Sequence, residues 1–337
     1  MPHGDFCSLI MEKKAMSDSV ITSKVGVVGA GLMGHAIAQL LAQGGCLVTL
    51  YDSDSEMLAS APERIKKNFQ VLSKLDMVTP EQVEATLAGI SLCNDLAELC
   101  QGCDFIIEAV KENLALKQEL FAALEDLVPD HCVLASNTSS ISIQKIAKNL
   151  KRPERVLGTH FWNPPHVVPG VEVIKSPATS DEAFEAVCDL LTRVGKMPVK
   201  VLKDVPGFVG NRMQHALWRE AIQLVERGVA SAEDVDKVVR YSFGLRMAFL
   251  GPLATADLAG LDLTYAVHQD LLPDLECSPE PSPLLAEKNH QGQLGAKSGA
   301  GFFDWSPEKL SNLLARRDEV LLQILRITSQ PEEEAQA

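Results

Sequence analysis

Val25-Gly-Val-Val28-Gly29-Ala-Gly31-Leu32-Met33-Gly34, followed by a helical pattern from His35 to Gln43, is the stretch that decides the fold. The β-branched run reads as a buried strand, the glycines as a turn, and the residues after them as a helix. Gly29 permits the tight turn, Gly31 lets the backbone approach a pyrophosphate, and Gly34 lets helix and strand pack closely. The N-terminus of the helix then faces the phosphate charge. A second apolar run, Leu47-Val-Thr-Leu-Tyr51, ends in Asp52. A carboxylate at that strand tip accepts hydrogen bonds from ribose hydroxyls and repels a 2′-phosphate, so it favours NAD over NADP. The context of strand, helix and second strand outweighs the alternative, a glycine turn in a non-binding α/β protein. Gly29, Gly31, Leu32, Met33, Gly34 and Asp52 are the expected cofactor-binding residues.

Outward from this unit, strand-like runs recur at Cys103 to Ile107, Cys132 to Ala135, Val156 to Gly158 and Pro198 to Val201. Helices are expected between them, at Ala115 to Leu127 and Ser142 to Asn149, with one or two more in Ser55 to Leu87. Alternating β and α elements predict a mostly parallel sheet with helices on both faces, binding ligands at the carboxyl ends of its strands. After Lys203-Asp-Val-Pro-Gly the pattern becomes helical: Met213, Leu217, Ala221, Leu224 and Val225 recur at helical spacing, Gly228 stops the helix, and Ser231 starts the next. Such stripes read as core, so Met213 and Trp218 are assigned to packing. The expected fold class is α/β, a Rossmann-type mostly parallel domain over 24–203 followed by an all-helical domain over 204–328, with tails at 1–23 and 329–337.

Composition narrows the partners. With 46% hydrophobic and 23% charged residues in a 337-residue chain, an ordinary soluble core is available. The net charge of -14 argues against nucleic acid or an anionic membrane, which demand a positive surface. No apolar run approaches a membrane span. The segment before Lys24 carries Asp5, Glu12 and Asp18 and lacks arginine, unlike a secretory or mitochondrial leader, so the cytoplasm is expected. Eight cysteines without framework spacing suit a reducing compartment. Cys100-Gln-Gly-Cys103 lacks the second ligand pair or thioredoxin-like context that a zinc or redox site needs, and no metal site is expected. Arg64, Lys66 and Lys67 form a small basic cluster, read as a solvated face or as a landing place for a phosphate-bearing carrier such as coenzyme A. His35, in the first turn of a packed helix, is assigned a structural role.

Gly158-Thr-His160-Phe-Trp-Asn-Pro-Pro-His-Val-Val-Pro169 surrounds one imidazole with an apolar wall, a polar side chain and a stiff backbone. Glu172 follows in Val171-Glu-Val-Ile174, whose alternation reads as a strand with the carboxylate on one face. The residues alone leave two readings in balance: a general base held by a carboxylate, or a core histidine in a proline-stiffened loop. Oxidising a secondary alcohol needs a base for the hydroxyl proton while hydride leaves carbon, and imidazole suits that task. Ser136-Asn-Thr-Ser139-Ser140 follows a strand and is either substrate-binding or helix capping, with Ser140 or Ser142 as the cap.

Taken together, the glycine unit, Glu108-Ala-Val-Lys-Glu-Asn-Leu114, Ser136-Asn-Thr-Ser-Ser140, His160-Phe-Trp-Asn-Pro164, Val171-Glu-Val-Ile174, Pro206-Gly-Phe-Val-Gly-Asn-Arg212 and Lys297-Ser-Gly-Ala-Gly-Phe-Phe303 resemble the NAD-dependent L-3-hydroxyacyl-CoA dehydrogenase family, in family order. The resemblance covers Lys24 to about Trp305. It implies catalytic His160 partnered by Glu172, substrate contacts from Ser139 and Asn211, and Glu108 and Lys117 along the nicotinamide ribose. It also implies that the helical domain closes the cleft and forms a homodimer, with a small-molecule substrate. Asn163-Pro-Pro-His-Val-Val-Pro169 and Leu245-Arg-Met-Ala-Phe-Leu-Gly-Pro252 depart toward lambda-crystallin and its relatives, which include L-gulonate 3-dehydrogenase. Gly295 to Phe303 is like the acyl-CoA members. Oxidation of a 3-hydroxyacyl-CoA is therefore the leading expectation. The alternatives are a free 3-hydroxy acid such as L-gulonate or carnitine, Arg246 then facing it, and a crystallin-like structural protein.

Overall fold

The computed structural model of the chain describes residues 23–328. The tails expected at 1–23 and 329–337 lie outside the described residues, apart from Ser23. The chain forms two compact units, the first reaching Arg212 and the second starting at Met213.

The first unit is built on strands β1 (Lys24–Val28), β2 (Leu47–Tyr51), β3 (Ile90–Cys93), β4 (Phe105–Glu108), β5 (Val133–Ser136), β6 (Val156–Phe161), β7 (Gly170–Ile174) and β8 (Met197–Val201). They make one sheet in the order β3-β2-β1-β4-β5-β6-β7-β8. All neighbours pair in parallel except β6 and β7, which are antiparallel. The mostly parallel α/β unit expected from the sequence is therefore present, with β3 as an addition. Ser91 and Leu92 on this edge strand are exposed, so its burial does not alternate and leaves no period-two signal.

Helices α1 (Gly34–Gln43), α2 (Ser55–Ala59), α3 (Ala61–Lys74) and α4 (Pro80–Ala88) follow the first strands. Where one or two helices were expected before Leu87 there are three, because local chemistry restarts the chain twice. Pro62 occupies the first turn of α3, and Thr79 with Gln82 forms a capping box ahead of Pro80. Next come α5 (Leu96–Cys100), α6 (Leu114–Leu127), the single turn α7 (Ile143–Ile146), shorter than expected and capped by Ser142, and α8 (Asp181–Arg193).

Strand alternation divides the core in two. Val25, Val27, Phe105, Ile107, Leu157 and Phe161 join Ile37 and Leu41 of α1 and Phe184 and Val187 of α8 in one apolar layer. Val28, Ile106, Leu134, Val156 and Ile174 join Leu99 of α5, Phe121 and Leu124 of α6 and Ile143 of α7 in the other. Glu108, Ser136, His160 and Glu172 stand at alternate positions from this second set, on the same face of the sheet. That is how polar groups from four strands come to one neighbourhood.

Helix α9 (Gly210–Glu226) leads into the second unit, which continues with α10 (Ala232–Tyr241), α11 (Phe243–Met247), α12 (Pro252–Ala259), α13 (Leu261–Leu271), α14 (Pro283–His290) and α15 (Pro307–Thr328). This is the helical C-terminal part expected. Gly228 has φ +67° after α9, and Ser231 caps α10 by accepting from the Asp234 amide at 3.1 Å. The apolar stripes, by contrast, are not a closed core. Met213 and Trp218 are 54% and 49% exposed, and among the described residues only Leu322 is buried in this unit. The periodicity marks a face that needs cover, without saying that the chain itself provides it. No helix among the described residues is long and apolar enough to cross a membrane.

Candidate active site

The glycine turn fits a dinucleotide. Gly29 has φ +102°, and a Cβ there would meet the Ala109 carbonyl oxygen at 2.7 Å. A Cβ on Gly34 would fall 1.7 Å from the Gly29 oxygen, so helix and turn could not approach as they do. Gly31 differs: a Cβ there meets nothing within 4 Å. The protein's own packing does not require that glycine, and the open space lies where a pyrophosphate would be received. At the tip of β2, Asp52 accepts from the Ala30 amide at 2.7 Å and the Asp54 amide at 2.9 Å, which ties turn and carboxylate together. Leu32, 70% exposed, and half-buried Met33 complete the turn.

His160 and Glu172 face one another in the antiparallel register of β6 and β7. Nδ1 of His160 lies 2.7 Å from Oε2 of Glu172, and both side chains are buried. The other carboxylate oxygen accepts from the amides of Val209 and Gly210, each at 2.9 Å, at the start of α9. Burial alone would raise the Glu172 pKa. The His160 hydrogen bond and these two amides reverse that and hold the carboxyl below its ordinary value. An ionised carboxylate on Nδ1 fixes the ring so that Nε2 is the nitrogen left to exchange a proton. The rings of Trp162 and Phe208 stand 4.9 and 5.9 Å from the imidazole. Gly210 is required where Trp162 packs, since a Cβ there would come within 2.2 Å of the indole.

Asn211 follows directly, and its Nδ2 donates to the Ser139 carbonyl at 3.0 Å. The structure thus brings His160, Glu172, Ser139 and Asn211 together through bonds that run from β6 to β7, to α9, and to the loop after β5. Asn137 adds a tie by accepting from the Phe161 amide at 2.9 Å.

Glu108 and Lys117 also meet, but beneath this surface. They are 0% and 1% exposed, and Lys117 Nζ donates to Glu108 at 2.6 Å while Ser136 donates to the other oxygen at 2.6 Å. Sequence reasoning missed Glu112. Its Oε1 accepts from Thr138 Oγ1 at 2.6 Å and from the amides of Ser139 and Ser140 at 3.0 and 3.1 Å, so it shapes the loop that presents Ser139. No local pattern could reveal this, because its partners lie 26–28 residues away.

The basic cluster separates. Lys66 pairs with Glu63 at 2.6 Å on the surface, whereas Arg64 turns inward to the glycine turn. Cys100 and Cys103 are buried thiols, pushed up by burial to about 12 and about 11, which makes them unreactive. Among the described residues no three His, Cys, Asp or Glu side chains gather as a metal site.

Residues 24–205 match the family model for the NAD binding domain of 3-hydroxyacyl-CoA dehydrogenase, and residues 207–305 match that for its C-terminal domain. A probable 3-hydroxybutyryl-CoA dehydrogenase of Bacillus subtilis is 40% identical, over 86% of this chain and 99% of its own length. The human mitochondrial hydroxyacyl-coenzyme A dehydrogenase is 37% identical, over 86% and 94%. A crystal structure of 5-formyl-3-hydroxy-2-methylpyridine 4-carboxylic acid 5-dehydrogenase, described as an NAD+ dependent dismutase, superposes with a TM-score of 0.85 at 36% identity, covering 91% of this chain and 99% of that one. With the fold and cofactor turn described above, these likenesses establish that the chain belongs to the 3-hydroxyacyl-CoA dehydrogenase family and is an NAD-dependent oxidoreductase of that type.

Proposed function

We propose that the protein oxidises the 3-hydroxyl of a 3-hydroxyacyl-CoA to the 3-keto thioester, reversibly, in fatty acid metabolism. The observation that carries this reading is the buried 2.7 Å contact of His160 Nδ1 with Glu172, in a chain whose relatives include 3-hydroxybutyryl-CoA dehydrogenase. NAD, when bound, accepts hydride at nicotinamide C4. His160 Nε2 takes the hydroxyl proton as the C3–H bond breaks and C3=O forms, and Glu172 steadies the resulting imidazolium. Ser139 and Asn211 position the reacting oxygen and the neighbouring carbonyl. In the reverse direction His160 returns the proton. Gly29, Gly31, Leu32, Met33, Gly34 and Asp52 bind the dinucleotide, and Glu108 and Lys117 serve its nicotinamide side by holding the ends of β4 and β5. The cofactor domain occupies 24–203 and the substrate and dimerisation domain 204–328.

A second reading, a free hydroxy acid such as L-gulonate or carnitine, is supported by the likeness to a dehydrogenase named for a pyridine carboxylate. Incubation with NAD and 3-hydroxybutyryl-CoA, followed by NADH absorbance, tests the first reading. Absence of NADH with the thioester, together with turnover of a free acid, overturns it in favour of the second.

The working form is a homodimer. Tyr241, Leu245, Phe249 and Leu253 are 70–81% exposed, an apolar surface that a second copy would cover. The cytoplasm suits a chain in which no disulfide joins the seven described cysteines.

A further inference from the structure

Arg64 of α3 turns its guanidinium onto the glycine turn, away from the lysines near it in sequence. One guanidinium nitrogen donates to the Ala30 carbonyl at 2.6 Å and to the Met57 carbonyl at 2.8 Å. The other donates to the Gly31 carbonyl at 3.1 Å and lies 3.2 Å from His35 Nδ1. His35 Nδ1 is itself 2.7 Å from the Gly31 oxygen. A carbonyl only accepts, so Nδ1 carries the proton, and two donors converge on one oxygen. Burial lowers the His35 pKa, opposed by the Gly31 bond and aided by the nearby guanidinium, so the ring stays neutral and tolerates its cationic neighbour.

The carbonyls gripped are those of the peptide units whose amides belong to Gly31 and Leu32. In a trans peptide the N–H points away from the C=O, so holding these oxygens from behind aims both amides to the opposite side. Among the described residues neither amide donates to a protein acceptor. A cation on the carbonyl also polarises the peptide unit and strengthens the N–H as a donor. Asp52, bonded to the Ala30 amide, fixes the same turn from its other end.

We propose that Arg64, backed by His35, is a positioning residue for the dinucleotide: it clamps the Ala30 and Gly31 carbonyls so that the turn presents preset, polarised amides to the pyrophosphate. The role depends on the NAD cofactor and is independent of which alcohol is oxidised. Without the clamp the turn keeps its glycines but must be ordered by the ligand, and that ordering subtracts from affinity.

NADH titration of the full chain, read by fluorescence, tests this. Arg64→Met should raise the Kd for NADH about tenfold, Arg64→Lys about threefold and His35→Ala about twofold to threefold, as expected for loss of charge-assisted bonds that act through the backbone. ADP-ribose, which keeps the pyrophosphate and lacks nicotinamide, should lose affinity in parallel, and kcat at saturating NAD should stay within about twofold. A folded Arg64→Met protein that binds NADH within twofold of wild type, whatever its melting temperature, overturns the proposal. If that variant fails to fold, Arg64→Lys and His35→Ala decide: unchanged Kd in both overturns it, and raised Kd with retained melting temperature supports it.

Discussion

The unit ending at Arg212 and the unit beginning at Met213 are both amphipathic in sequence, yet they dispose of their apolar side chains differently. In the first, each face of the sheet is covered by helices of the same chain, and Ile37, Leu41, Phe121 and Phe184 are almost wholly removed from water. In the second, α9 and α10 carry equally regular stripes, and Met213, Val238 and Tyr241 remain exposed. The difference teaches that periodicity specifies a face to be covered, while the identity of the cover is a separate fact. It also separates two kinds of work. The proposed catalytic and cofactor groups stand on the first unit, and the surface proposed for assembly stands on the other.

Substitutions can break or sharpen this division. The largest effect is expected at His160→Gln: kcat should fall by about 10³- to 10⁴-fold with melting temperature and oligomeric state retained, measured by NADH formation and sedimentation on the same sample. Loss of assembly in that variant would break the comparison. Lys117→Met should leave the Glu108 carboxylate buried without its cation and lower stability by about 3–5 kcal/mol in denaturant unfolding. That change belongs to the first unit's own fold, so it should persist at any protein concentration. Phe249→Glu combined with Leu253→Glu should weaken self-association by about 100-fold or more, seen as monomers in sedimentation, with NADH affinity unchanged. Unaltered sedimentation would remove the proposed role of that surface.

A pH-dependent test sharpens the first unit alone. Lys196 is buried, its Nζ donating to the Pro165 and Val168 carbonyls at 2.6 and 2.9 Å, and burial lowers its pKa from 10.5 to about 7. Between those values the unfolded chain holds a proton that the native chain has released, so this group's contribution to stability rises with pH. Below about 7 both states are charged and the penalty is full. Wild type should therefore gain on Lys196→Met as pH increases from 7 toward 10.5, by at most about 1.4 kcal/mol per pH unit, checked by paired denaturant titrations. Equal slopes for the two proteins would contradict the burial effect.

Legibility followed the range of the interactions. Gly29, Gly34 and Asp52 could be read because turn, helix and strand tip follow one another along the chain: Gly29 answers the turn's own positive φ, and Gly34 the Gly29 oxygen five residues back. The pairing of His160 with Glu172 was legible as a possibility in the residue types. Its geometry was not, because only the register of β6 and β7 sets the two opposite one another. Glu112 carries no signal in the sequence, and Arg64 reads there only as part of a surface basic cluster, for the same reason: both side chains reach backbone groups more than twenty residues away.

By itself the sequence determined the α/β class, the cofactor turn and the list of groups able to move a proton, since these depend on local conformation and on what each side chain is. Only the tertiary structure decided the geometry in which Glu172 meets the imidazole, that Glu108 and Lys117 lie buried beneath the surface, that Arg64 grips the glycine turn, and that the later helices leave an apolar face uncovered by this chain. The physical reason is that hydrogen bonds and burial act over a few ångströms in space, and separation along the chain does not encode that distance.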